Sequence, residues 1–138
     1  MSDLRLRALV LYAQFASGLF VVLGVVGLVK SHFHAFASSN GVALLGMRVS
    51  PLMSLIHLTV GLVGIAMAIT PERSRRYAML VGAVGTPFAL LEFVLGDSSG
   101  DIFGRDGDVA LVQLVVALLG LAVATWSRAA AAASPRTG

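Results

Sequence analysis

Residues 8–29 run for 22 positions without a charged side chain. At ~1.5 Å per residue, a helix of that length crosses the ~30 Å hydrocarbon core of a bilayer. Three more apolar runs follow, at residues 52–69, 77–95 and 109–126. Pro51 stands just before the second, where a missing N–H costs nothing, and Thr70-Pro71 closes it. Pro87 lies inside the third and should kink it. The carbonyl freed near Ala83 is expected to find a partner in Thr86 or a neighbouring helix. The fourth ends at Trp126, placed like an interfacial anchor. Charged residues make up 12% of the chain, against roughly 25% in soluble domains, so the bilayer is the expected solvent.

A secretory signal peptide is the rival reading of the first run, because Ala35-Phe36-Ala37 imitates a cleavage site. The run exceeds the roughly 7–15 residues of a signal core, and the imitation lies far beyond it. The chain has no cysteine, which excludes disulfides, thiolate metal sites and cysteine nucleophiles. Its net charge of +3 comes from short clusters between apolar runs. That pattern sets membrane orientation and does not make a nucleic-acid surface. The first residues, the connection 71–76 and the tail 127–138 hold seven of the ten Lys and Arg. The expected fold is therefore an all-α, integral membrane four-helix bundle in the cell membrane, with both termini cytoplasmic. The patch 42–47 is too short to span and is expected to lie in the interface or to be re-entrant. The alanines at 129–133 extend the last helix, and the end of the tail is expected to be partly disordered.

A helix turns ~100° per residue, and on that wheel the small residues of each run share one stripe. The stripes are Ala13, Ser17, Phe20, Gly24 and Gly27; Ser54, His57, Gly61, Gly64 and Ala68; Ala78, Gly82, Gly85, Ala89 and Glu92; and Ala110, Gln113, Ala117, Gly120 and Ala124. Small residues let helix backbones approach where lipid gives no hydrophobic drive. Gly61, Gly64, Gly82, Gly85 and Gly120 are thus the expected packing glycines, with stripes facing inward or towards another subunit.

His57, Glu92 and Gln113 are the strongly polar members of these stripes. All three fall roughly 5–8 Å beneath the outer boundary, counting ~1.5 Å per residue from the ends of the runs. Ionisable groups inside a membrane face a partner or a cavity. The expectation is a polar layer in which His57 pairs with Glu92 and Gln113 completes the network. Such a layer pins the register of a bundle, or forms a ligand, proton or ion site. A carboxylate so near a helix end can also simply reach the interface.

Other constellations are weaker. His32 and His34 with His57 make a poor metal set without a placed carboxylate. Asp97, Asp101, Asp106 and Asp108 imitate a calcium loop, but Ile102 occupies the position that requires glycine. A haem held by two histidines would need a ligand besides His57, the one histidine within a span. No catalytic, cofactor or metal residue is therefore assigned.

Residues 44–68 carry a resemblance. Leu44, Leu45 and Gly46, then Leu55, His57 and Leu58, then Gly61 and Gly64 resemble the central motif of the domain of unknown function 4383. That family consists of small actinobacterial membrane proteins with four predicted spans. Met53-Ser54 stands where the family has His-Asn. Asp108 fits the opening of the last span, but Val112 or Gln113 stands where a further histidine is expected. The resemblance implies the architecture and a bacterial cell-membrane location. It implies no activity, and with those histidines missing it carries over no metal or haem role.

The function these observations favour is a non-enzymatic binding or scaffolding subunit in the lipid bilayer. It would pack as a homo-oligomer or with a larger membrane complex, with no nucleic-acid partner. The alternative is a small homo-oligomeric transporter, or a proton- or ion-conducting protein, using Glu92 and His57.

Overall fold

The computed structural model describes residues 3–31, 42–44, 47–95 and 107–132. Four helices fill it: α1 (Asp3–Ser31), α2 (Pro51–Met67), α3 (Pro71–Leu95) and α4 (Gly107–Ala132). Two short strands, β1 (Val42–Leu44) and β2 (Met47–Val49), pair antiparallel between α1 and α2. The architecture is an all-α four-helix bundle with this one small hairpin. Where the sequence suggested an interfacial or re-entrant patch at 42–47, part of it is a strand pair. Pairing satisfies the backbone N–H and C=O groups that a lone extended segment would leave open. The strands touch α1 and α4 as well as each other, and Val49 leads directly to the start of α2.

Helix α2 starts where the sequence marks it. Ser50 has an extended backbone, and its hydroxyl accepts from the Met53 N–H at 3.1 Å, with Pro51 in the first helical position. This caps the helix start, whose first N–H groups have no partner inside the helix. The helix stops earlier than the apolar run does. The Ala68 N–H turns back to the Gly64 and Ile65 carbonyls, which leaves 17 residues. That is about 25 Å at ~1.5 Å per residue, short of the ~30 Å core. The other three helices are long and apolar enough to cross a membrane.

The connection expected at 71–76 is helical. Thr70 accepts from the Arg73 N–H, and Pro71 opens α3 in the first turn. Proline therefore does more here than end the preceding helix, because its fixed φ suits a helix start equally well. Glu72 and Arg76, one turn apart, form an exposed ion pair. The hydroxyl of Ser74 donates to the Met67 carbonyl at 3.4 Å and ties the turn together. Pro87 is accommodated inside the continuous helix α3. Thr86 does not serve the freed carbonyl, since its Oγ1 is buried with no hydrogen-bond partner among the described residues.

The small stripes lie inside. Every member of the four is buried except Gly85, which is half-buried. Large apolar side chains such as Phe15, Val29, Ile69, Phe93, Val94 and Leu119 point outward and are exposed. A water-soluble core has the opposite arrangement, with large apolar side chains within. The closest seam joins α1 to α2. A Cβ at Gly61 would stand 2.6 Å from the Val21 backbone nitrogen, and one at Gly24 2.5 Å from that of Leu58. Helices α3 and α4 form a second seam, where a Cβ at Gly82 would stand 2.9 Å from the Ala117 carbonyl oxygen. Such separations are possible only without a Cβ.

Two tyrosines missed as structural residues in the sequence fasten the seams together. The Tyr12 hydroxyl donates to the Val116 carbonyl at 2.8 Å, from α1 to α4. A Cβ at Gly120 would come within 2.5 Å of that same hydroxyl oxygen, so the glycine makes room for it. Tyr77 is fully buried, and its ring lies against Gly64, 2.5 Å from where a Cβ there would stand, beside the α2–α3 turn. Its hydroxyl has no hydrogen-bond partner among the described residues.

Candidate functional site

Near the turn, Tyr77 stands between α3 and the α1/α2 pair. Away from it, α2 and α3 touch little, although only residues 68–70 connect them. A cleft of about 360 Å³ fills the space between them. Met53, Ile56 and Val60 of α2 form one wall, and Leu80, Val84 and Phe88 of α3 form the other. Phe20, His57 and Gln113 close the inner end. The mouth opens on the outer surface of the bundle, where Ile56, Leu80 and Val84 are 36%, 54% and 59% exposed.

The polar residues singled out in the sequence are all buried. His57 is 4% exposed, Glu92 5% and Gln113 7%. The structure joins two of them across the bundle: Gln113 Nε2 lies 3.1 Å from His57 Nε2. An amide nitrogen carries hydrogens and offers no lone pair, so Gln113 donates and His57 Nε2 accepts. The neutral ring then carries its proton on Nδ1. That atom is buried and makes no hydrogen bond among the described residues, so none from it reaches Glu92. On the other side the imidazole stacks on Phe20, with ring centroids 5.4 Å apart and planes 14° from parallel. Helix α1 thus contributes an aromatic wall that the sequence reading treated only as a member of a packing stripe.

The hydroxyl groups are set for packing. Ser17 donates to the Gln14 carbonyl, Ser54 to Ser50, Ser127 to Ala124, and Thr125 to Leu121. Bonds of this kind within a helix hide a polar group from an apolar medium. No group of three His, Asp or Glu side chains among the described residues is placed to hold a metal ion. His32, His34, Ala35-Phe36-Ala37 and the acidic run Asp97, Asp101 and Asp106 lie outside the described residues. At the end away from His57, the Arg5 guanidinium stacks over Trp126 at 5.0 Å. Arg75 Nε donates to the Ala124 carbonyl at 3.3 Å. The start of α1, the α2–α3 turn and the end of α4 therefore share one end of the bundle, and the basic residues Arg5, Arg73, Arg75 and Arg76 collect there.

The family model of the domain of unknown function DUF4383 matches residues 11–132. The chain belongs to this DUF4383 family. Among curated proteins and among solved structures nothing matches it. The match covers all of α2 to α4 and most of α1, so both seams and the cleft lie within the family's domain. Of the residues that carry the resemblance, Gly61 and Gly64 pack in the seam around α2 and His57 sits at the end of the cleft.

Proposed function

We propose that the chain is a non-enzymatic, four-span membrane protein that acts as a binding subunit, with the cleft between α2 and α3 as its binding face. The observation that carries this reading is the inverted side-chain distribution, small residues within and large apolar ones without. A bilayer tolerates that surface and water does not. Helix α2 crosses as well, its deficit of about 5 Å covered by the strand pair that leads into it. Clustering of Arg5, Arg73, Arg75 and Arg76 at one end supports cytoplasmic termini by the positive-inside rule. Location in the cell membrane follows the same reading. A non-enzymatic role accords with the hydroxyls of Ser17, Ser31, Ser54, Ser74 and Ser127, which donate to backbone carbonyls and not to His57.

Two measurements test the proposal. A phosphatase reporter that works only outside the cytoplasm should be active when fused after Gly100 and inactive when fused after Arg76. The reverse pattern overturns the topology. Native mass spectrometry of the detergent-purified protein should show a bound membrane-derived component, whether a second copy, another subunit or a lipid. A bare monomer in every detergent tried overturns the binding role.

A further inference from the structure

We propose that the cleft between α2 and α3 holds one fatty acyl chain, whose carbonyl oxygen accepts a hydrogen bond from His57 Nδ1. The proposal rests on the membrane reading above and names the ligand of that binding face.

Three observations lead to it. The first is size. At the ~30 Å³ that a water-sized group occupies in a liquid, 360 Å³ holds about a dozen heavy atoms. A helix ~10 Å across with its side chains does not fit that space, whereas about twelve carbons of a single hydrocarbon chain do, with the rest lying in the open mouth. The second is the distribution of chemistry along the walls. Ile56 and Val60 face Leu80 and Val84 with branched aliphatic carbon, which gives a chain dispersion contacts and no polar partner. Among the described residues, polar groups enter the lining only through His57 and Gln113. The third is the state of His57. Its Nε2 is occupied by Gln113, and its Nδ1 is a buried donor with no acceptor among the described residues. Such a group costs free energy unless an acceptor arrives. His57 lies six residues, about 9 Å, beyond the start of α2, so a chain whose carbonyl reaches Nδ1 is drawn below the outer boundary.

The open mouth gives a chain lateral entry from the bilayer, without passage through water. Contact with Nδ1 requires a lining side chain to shift. Met53, one turn before His57 on the same wall, is unbranched and suited to move. The acyl carbonyl can come from a free fatty acid or from a membrane phospholipid, since both present the same group on the same kind of chain.

The test uses the full chain in detergent micelles and two photoreactive probes. One is palmitic acid with a mid-chain diazirine, and the other is a phosphatidylcholine bearing that same chain. After irradiation, peptide mapping should place adducts on residues 53–60 and 80–88, and unlabelled palmitic acid or phosphatidylcholine should compete. Labelling by the free acid alone assigns the site to fatty acids, and labelling by the phospholipid alone assigns it to bilayer lipid. Val84→Trp and Leu80→Trp each fill the mouth and should reduce labelling to the level of the outward faces. His57→Phe keeps a ring against Phe20 and should weaken competition by the unlabelled ligand about fivefold, the effect of one lost hydrogen bond. Melting curves identify variants that fold, and only those are compared. Adducts spread evenly over outward residues such as Phe15, Val94 and Leu119 overturn the proposal. So does cleft labelling that survives both tryptophan substitutions, or a protein segment crosslinked in the cleft to the exclusion of both probes. None of these outcomes alters the reporter result, so failure of this site is distinguishable from failure of the membrane topology.

Discussion

Helix α2 has two neighbours in the chain order of helices and packs unequally against them. Against α1 it comes so close that Gly61 and Gly24 admit no Cβ. Against α3, to which three residues connect it, it opens a cleft of about 360 Å³. The difference lies in what faces α2. Helix α1 presents Ser17 and Val21 at the level of Gly61, so backbone can meet backbone. Helix α3 presents the Tyr77 ring at the level of Gly64, and the ring occupies the space where a small residue would have let the helices close. A small stripe is thus permissive. Whether it becomes a seam depends on the stripe opposite.

The sharpest way to break this comparison is to put a large side chain into the closed seam. Gly61→Leu forces α1 and α2 apart and should cost about 3 kcal/mol, seen as a lowered melting temperature in detergent. An unchanged melting temperature would mean that the seam is as yielding as the cleft. Next in size is the polar contact at the cleft's inner end. Gln113→Leu leaves His57 Nε2 buried without its donor, at a cost of about 1–3 kcal/mol. Adding His57→Phe should recover most of that loss, and the coupling is read from a double-mutant cycle. If the two losses simply add, the pair contributes nothing as a pair.

The tyrosines give a smaller contrast. Tyr12→Phe deletes the bond to the Val116 carbonyl and should cost about 1 kcal/mol. Tyr77→Phe deletes a hydroxyl that has no partner among the described residues, and stability should hold or rise. Equal losses in equilibrium unfolding would show that the Tyr77 hydroxyl is engaged after all. The smallest effect belongs to Gly18, which lies off the stripe, with nothing within 4 Å of a Cβ there. Gly18→Ala should stabilise by up to about 1 kcal/mol through helix propensity. A loss instead would place a further seam on that face of α1.

The residues of the candidate site were partly legible in the sequence. His57, Glu92 and Gln113 stood out because polar side chains are rare in such runs, and all three are buried. The bond between His57 and Gln113 links positions 56 residues apart, on helices whose mutual rotation no local pattern states. Phe20 was seen in its stripe, but its stacking on His57 depends on how α1 slides along α2. The helical start of α3 is hidden in the sequence for a different reason. Arg73, Arg75 and Arg76 read as a charged connection, whereas Thr70 and Pro71 form a local start signal that makes the same residues helical.

By itself the sequence determined the helices and their inward faces. A ~100° step per residue and the need for small side chains at close contacts act within each segment, so each stripe is readable from one run alone. The tertiary structure decided which stripes meet, that 42–44 and 47–49 pair as strands, and that α2 and α3 stay apart. These outcomes depend on side chains from separate runs competing for the same volume, as Tyr77 and Gly64 do. Packing at that density is a property of the assembled bundle, not of any one segment.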